Sequence, residues 1–151
     1  MTKRILYWED VTEGDEIPPI ALELSTKRMI MAACGTRDLY PLHYDRDFAQ
    51  ALGQKDIIPN VIFLGGMLSR CLTDWTGPSG KIRKLAFLPA TPSYLGDTIT
   101  ARGRVTRKYV DSGDHKVDCG LTVTKQDGSI VINCQATLIL PSKANLFATP
   151  Y

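Results

Sequence analysis

An aspartate and a histidine five residues apart are the side chains whose types and spacing best fit chemistry. Asp38 and His43 lie in a short loop that Pro41 bends. A carboxylate can hold a water molecule, and an imidazole, with a reference pKa of about 6.5, can take up or release its proton near neutral pH. The second histidine, His115, lies in a turn rich in Ser, Gly and Asp without a comparable partner. A lone histidine is more often structural than catalytic, but this loop makes His43 the first candidate for catalysis.

Helices must position this loop, because caps and apolar spacing predict helices on both sides of it. A strand is predicted over 16–24, and a helix over 27–35 follows Ser25-Thr26, with Ile30, Ala33 and Cys34 on one apolar face. Asp45 is expected to cap a short helix over 46–52, and Asp38 could equally cap a turn. The loop therefore joins two helices in a predominantly helical first half.

The most apolar predicted helix spans 61–74, after Pro59-Asn60, and contains Gly65 and Gly66. Two glycines inside a helix cost roughly 1 kcal/mol each relative to alanine. We expect compensation from the close approach of another backbone, as when a sheet curls tightly around a central helix.

The second half is rich in predicted strands, separated by turns that contain Gly and Asp. The strands span 81–90, 98–109, 116–125 and 130–140. Alternation in the second of them places Arg102, Arg104 and Lys108 on one face, and Ile99, Ala101, Gly103 and Val105 on the other. The fold class is therefore α+β, with one antiparallel sheet around a buried apolar helix.

Composition and charge exclude several classes of protein. The 151 residues fit one domain, 1–151, with 44% apolar and 23% charged residues. A net charge of +2 is too small to indicate nucleic-acid binding, and no apolar run reaches the ~20 residues that cross a bilayer. The first residues do not resemble a signal peptide, and the four cysteines form no Cys-x-x-Cys pair. We therefore expect a cytoplasmic protein with reduced core thiols.

Several motifs together resemble the MaoC-like hydratase and dehydratase family, which has the hot-dog fold. The resemblance covers the segment 7–15, the loop 38–45 with Phe48-Ala49 after it, the apolar helix, and Leu95-Gly96-Asp97-Thr98 before a long strand. The loop is its most specific part. In the family an Asp and a His five residues apart, with Pro two before the His, form the catalytic pair, which implies these roles for Asp38 and His43.

The resemblance implies reversible addition of water across the α,β double bond of an acyl thioester carried on coenzyme A or a carrier protein. Negative charge then develops on the thioester oxygen, and a backbone amide at a helix N-terminus can receive it. Relatives often have His-Gly at the head of the central helix, where this chain has Asn60 and Val61, so the Val61 amide is the expected oxyanion donor. Tyr40 replaces a usual Asn, and Ser69 matches by spacing a supporting hydroxyl; Asn60 and Ser69 also fit a helix cap and a hydroxyl bonded to its own helix.

The remaining expectations concern substrate, cofactors and partners. Candidate contacts with the acyl chain or its carrier are Phe63, Met67, Trp75, Arg102 and Arg104. The two arginines belong to a basic group that is most simply a solvated face but could bind the phosphates of coenzyme A. No metal or nucleotide motif appears, so no cofactor is expected beyond the carrier of the thioester. Hot-dog sheets pair edge to edge, so we expect a homodimer or a higher oligomer.

Two alternatives remain open. One is a non-catalytic or half-catalytic subunit that completes the acyl-thioester site of a partner in a hetero-oligomer, motivated by Tyr40 and by the altered helix start at Asn60-Val61. The other is an acyl-CoA thioesterase, whose carboxylate is carried by a helix, an arrangement that Asp38 and His43 do not reproduce.

Overall fold

The computed structural model describes residues 5–145. This range contains five antiparallel strands and three α-helices. Every predicted element is present, with each end within two residues of its expected position. In chain order they are β1 (Glu16–Glu23), α1 (Thr26–Thr36), α2 (Arg46–Ala51), α3 (Val61–Thr76), β2 (Lys81–Pro89), β3 (Thr98–Asp111), β4 (Asp114–Lys125) and β5 (Ile130–Ile139).

Helix α3 is the centre of the fold. The sheet has the order β1-β3-β4-β5-β2, so β1 and β2 are its edges, and α3 contacts both of these edge strands as well as β3. A sheet whose two edges touch the same helix must curve around it. Leu64, Leu68 and Leu72, spaced by four residues, are buried in the core. No helix in the described range is long and apolar enough to cross a membrane.

The two glycines of α3 are accommodated differently from the prediction. A Cβ added to Gly65 would lie 3.0 Å from Cζ of Phe87 on β2, whereas a Cβ on Gly66 would meet nothing within 4 Å. The expectation of a closely approaching backbone was therefore wrong. The neighbour of Gly65 is an aromatic side chain, and Gly66 is exposed.

The prediction for the buried face of α1 is confirmed for Ala33 and wrong for Ile30 and Cys34. Met29 and Ala33 are buried, while Ile30 and Cys34 are exposed, because residues i and i+4 share a face and the neighbouring pair points about 100° away. The other three cysteines are buried free thiols. Burial raises the pKa of Cys119 to about 12 and that of Cys134 to about 11, which keeps these thiols protonated and unreactive.

Strand β3 contains a bulge that changes the face of Lys108. Val105 pairs with Cys119 and Arg107 with Asp118, so Thr106 is the extra residue. Lys108 then pairs with the buried Val117 and joins the inner face, where its ammonium donates to the Val11 carbonyl at 2.7 Å. The prediction that Lys108 shares a face with Arg102 and Arg104 was wrong, because strict alternation ends at the bulge.

Candidate active site

A hydrogen bond to the backbone holds one ring nitrogen of His43 and leaves the other nitrogen free of backbone contacts. It ends a short 3-10 turn, Pro41–His43, and its Nδ1 lies 2.9 Å from the carbonyl oxygen of Ile58. A carbonyl only accepts hydrogen bonds, so Nδ1 donates and the neutral ring has its lone pair on Nε2. The side chain is largely buried. The fold therefore presents Nε2 as a base.

Asp38 faces this nitrogen, with Oδ2 at 3.3 Å from Nε2 of His43. Helix α1 ends at Thr36; the next residue, Arg37, has a left-handed φ of 55°, and the amide of Asp38 donates to the carbonyl of Ala33. This turn directs the carboxylate towards the histidine. An ionised carboxylate and an imidazole lone pair are both acceptors, so the pair is suited to share one proton or to bind a water molecule that donates to both.

The loop around the pair is fixed from both sides. The ring of Tyr40 lies edge-on to His43, with centroids 6.2 Å apart, and edge-on to Phe48 at 5.5 Å. Asp45 caps α2 by accepting from the Phe48 amide at 3.1 Å. The predicted structural role of Asp45 is confirmed, and Tyr40 supports His43 through ring packing.

An ion pair holds the connection from α2 to α3. The Asp56 carboxylate lies 2.9 Å from the Arg46 guanidinium and also accepts from the Ile57 amide. Burial tends to raise the pKa of Asp56, but the hydrogen bonds from Arg46 and Ile57 outweigh it and hold this pKa below its usual value. The ion pair thereby fixes the segment that carries Ile58, the hydrogen-bond partner of His43.

Asn60 sets the start of α3 beside the pair. Its Oδ1 accepts from the Phe63 amide and its Nδ2 donates to Oγ1 of Thr36, both at 2.7 Å, and the side chain is fully buried. The prediction that Asn60 caps the helix is confirmed. The first amides of a helix have no acceptor within the helix, and Val61 lines the same pocket as Asp38 and His43. Val61 is the first residue of α3, so its amide lies at the positive end of the helix dipole.

These residues line a mostly apolar pocket of about 440 Å³. The pocket lies between the loop that carries Asp38 and His43, the start of α3 and the segment at the end of β2. Its apolar lining includes Ile58, Pro59, Leu64, Pro89, Pro92 and Val131. A volume of this size fits an acyl chain, and an apolar wall strengthens the electrostatic interactions beside it.

The structure places the predicted substrate contacts away from this pocket. Met67 is buried in the core, and Phe63 lines a separate depression beside Met31. Trp75 is fourteen residues beyond Val61, roughly 21 Å along the helix, and lines a different depression together with Leu6 and Val11. These residues share α3 with the site, but helical rotation and rise direct them elsewhere.

Arg102, Arg104 and Ser69 are likewise absent from the lining of this pocket. The two arginines line a surface depression with Glu16 and Pro19. The Ser69 hydroxyl donates to the Gly65 carbonyl at 2.9 Å, which is the bond to its own helix that the sequence left open.

Sequence reasoning missed the wall formed by residues 89–93. It begins at the last residue of β2 and contributes Pro89, Thr91, Pro92 and Ser93 to the pocket. A signal was present, because two prolines and two hydroxyl residues lie within five positions, shortly before the Leu95-Gly96-Asp97-Thr98 motif. The wall is opposite the loop in space and about fifty residues away in sequence, so spacing alone does not connect them.

Comparison with known proteins assigns the family. No protein-family model matches the chain. The beta subunit of 3-oxo-4,17-pregnadiene-20-carboxyl-CoA hydratase of Mycobacterium tuberculosis is 38% identical over 93 residues, 62% of this chain and 72% of that protein. The (R)-specific enoyl-CoA hydratase of Rhodospirillum rubrum is 27% identical over 143 residues, 91% and 93% of the two chains.

The crystal structure of the ChsH1-ChsH2 complex of M. tuberculosis matches with a TM-score of 0.78 and 30% identity, over 85% of this chain and 98% of that one. With its sheet curved around α3 and its Asp38 to His43 loop, this chain belongs to the MaoC-like hydratase and dehydratase family and has the hot-dog fold.

Proposed function

We propose that this protein adds water to, or removes it from, the α,β double bond of an acyl thioester on coenzyme A or a carrier protein. The observation that carries the proposal is the Asp38 and His43 pair, 3.3 Å apart, in an apolar pocket that the N-terminus of α3 also lines. Both curated relatives are named as hydratases of CoA thioesters. The site offers a base, a carboxylate and an amide, the three groups that hydration requires.

The geometry supports a specific role for each of these three groups in the reaction. Water bound between Asp38 and His43 attacks Cβ, and its proton passes to Nε2 as the new C–O bond forms. The electrons of the double bond move towards the thioester, whose oxygen becomes an enolate that the Val61 amide stabilises. Cα then takes a proton from the protonated pair, which restores its starting state. Dehydration follows the same steps in reverse, so one site serves both directions.

The test is hydration of crotonyl-CoA and of longer and branched enoyl-CoAs, followed as loss of the enoyl thioester absorbance. His43→Ala and Asp38→Asn should each lower kcat by roughly 10²- to 10⁴-fold, the usual contribution of a positioned acid or base. The matched control is His115→Ala, which removes the other histidine; His115 lies on β4 and its ring contacts that of Trp8. Full activity of the His43 variant would show that the site assignment is wrong.

No cofactor enters the proposed reaction, because water addition moves protons and electron pairs without net oxidation. Activity after exhaustive treatment with EDTA is the corresponding check. The basic residues Arg102 and Arg104 remain proposed contacts for the phosphates of coenzyme A. Three buried thiols and the exposed free thiol of Cys34 fit the reducing cytoplasm that we propose as the location.

A second candidate is a subunit that completes a partner's site. Its support is that one relative is a beta subunit and that a matching structure is a two-component complex. Purified protein that is active by itself as a homo-oligomer would contradict it. The thioesterase hypothesis is weaker, since both members of the pair lie in the loop between α1 and α2, and release of free thiol from acyl-CoA distinguishes it from hydration.

A further inference from the structure

Ser93 is a pocket residue that the proposed chemistry does not use. It is 2% exposed, and its Oγ has no hydrogen-bond partner among the described residues. The residue lines the same pocket as Asp38 and His43. A buried hydroxyl without a partner is uncommon in folded proteins, because burial removes the water that would otherwise bond to it. Rotation about χ1 can turn this unpaired hydroxyl towards the pocket that Ser93 lines, where a ligand atom can supply the missing bond.

The backbone around Ser93 is held in place. The Ala90 amide donates to the Val131 carbonyl at 2.8 Å, and the Leu95 amide donates to the Ile57 carbonyl at 3.2 Å. The preceding Pro92 has a fixed φ. Because the backbone is anchored on both sides, the Ser93 hydroxyl can rotate about χ1, but the backbone does not bring it to another hydrogen-bond partner in the protein.

The other polar side chains of the lining already have partners. The Thr91 hydroxyl donates to the Ile130 carbonyl. Gln54 accepts from the Tyr94 hydroxyl at 3.3 Å, and Asp38 pairs with His43. Within the described part of the pocket wall, Ser93 is thus the hydroxyl left without a bond, in surroundings that are otherwise mostly apolar.

We propose that Ser93 determines substrate specificity by hydrogen bonding an oxygen on the acyl group, so that preferred substrates carry a keto or hydroxyl oxygen beyond the reacting carbons. This inference rests on the acyl-thioester site proposed above. In that site the Val61 amide takes the thioester oxygen, and Asp38 and His43 take the water. A plain hydrocarbon leaves the Ser93 hydroxyl unpaired, whereas an oxygen substituent satisfies it, and sites with a buried hydrogen-bonding group discriminate against ligands that lack its partner.

Binding of saturated acyl-CoAs tests this, because they lack the double bond and cannot be hydrated. Calorimetry would compare six- to ten-carbon acyl-CoAs bearing a keto group at successive carbons from C5 onwards with the unsubstituted acyl-CoAs of equal length. In the wild-type protein we expect one keto position to bind about tenfold more tightly than its plain counterpart, which corresponds to one net hydrogen bond. In Ser93→Ala this ratio should fall to about one.

Two further variants separate specificity from folding. Ser93→Ala loses no bond within the free protein, so its Tm should stay the same or rise. Thr91→Val removes a pocket hydroxyl that is bonded to the protein, so its Tm should fall while the keto preference remains. Ser93→Cys, with a weaker hydrogen-bonding group of similar shape, should give an intermediate ratio.

The outcomes distinguish the two proposals. A keto preference that persists in Ser93→Ala, or that is absent from the wild-type protein at every position, overturns the role of Ser93 and leaves the hydratase proposal standing. Failure of every saturated acyl-CoA to bind overturns the acyl-thioester site itself.

Discussion

The backbone amide of Val61 is the residue-scale feature on which the proposed mechanism depends most. Proline at this position would remove the amide with little effect on the helix, because the first residue of a helix has no acceptor for its N–H and favours proline. Asn60, with ψ of 157°, already has the extended backbone that a residue before proline requires. We expect Val61→Pro to lower kcat by roughly 10²- to 10³-fold, the usual cost of losing one oxyanion donor, measured by steady-state hydration.

Val61→Ala is the matched control, since it trims the side chain and keeps the amide. Its kcat should match or exceed that of the wild-type protein, because a smaller side chain lets the thioester approach the helix more closely. Thermal melts of both variants should remain near the wild-type value. Full activity of Val61→Pro would mean that another group receives the thioester oxygen.

At the scale of elements, hydrogen bonds between residues close in sequence explain why the helices could be predicted. Ser25, Asp45 and Asn60 each accept the amide three residues ahead, and residue type and position are sufficient to predict each of them as a cap. The pairing of Asp38 with His43 was predictable for the same reason, because both lie in one short loop. The helix bounds and the pairing of Asp38 with His43 thus depend on interactions that are local in sequence.

What could not be predicted depends on contacts between distant segments. The bulge at Thr106 appears only when β3 is paired with β4, and the pocket wall at Ser93 meets the loop only after the sheet has curved around α3. The exposed side of α1 at Ile30 likewise depends on which face packs against α3 and the Pro41–His43 turn. Periodicity defines an element, but its neighbours define which face is buried.

The two glycines of α3 give a matched test of element packing. Gly66→Ala adds a methyl group into open space and should stabilise the protein by about 1 kcal/mol through higher helix propensity. Gly65→Ala places its Cβ 3.0 Å from the Phe87 ring, so displacement of that ring should offset most or all of the gain. Urea unfolding of both variants measures the difference. Equal stabilisation would show that Phe87 repacks without cost.

At the scale of the whole molecule, Glu9 connects the two ends of the described chain. Ser142 donates its hydroxyl and Lys143 its amide to this exposed carboxylate. The hydrogen bond from Ser142 is the largest cause that lowers the pKa of Glu9 from about 4.5 to about 2. The unfolded chain binds a proton at higher pH than the folded one, so the stabilisation is complete above about pH 4.5 and is lost as pH falls towards 2.

Glu9→Gln should therefore reduce the dependence of Tm on pH between about 4.5 and 2, with the largest destabilisation relative to wild type at neutral pH. Ser142→Ala removes the main cause of the pKa shift and should reduce that dependence in the same direction. Thermal melts at closely spaced pH values give the measurement. Parallel wild-type and Glu9→Gln curves across this interval would contradict the assigned role of Glu9.

The open edge of the sheet at β2 connects oligomer formation with activity. Leu88 is 77% exposed on this edge strand, and the wall of the pocket begins directly after it at Pro89. Exposed apolar side chains also surround the site at Leu39, Tyr40 and Val61. An unpaired edge with apolar side chains is suited to pair with a second hot-dog subunit, which would then cover the mouth of the pocket.

Leu88→Glu should therefore shift the protein from oligomer to monomer in size-exclusion chromatography with light scattering, because a charge at a buried interface is costly. Activity should fall in parallel, since an uncovered pocket lets water screen the Asp38 and His43 pair. Val110→Glu is the matched control: Val110 is 54% exposed near the β3–β4 turn, away from β2, so its variant should remain oligomeric and active. A fully active Leu88→Glu monomer would show instead that one chain encloses the reacting atoms by itself. If the purified wild-type chain is an inactive monomer that only a second hot-dog protein activates, the same edge is the docking surface of a hetero-oligomer.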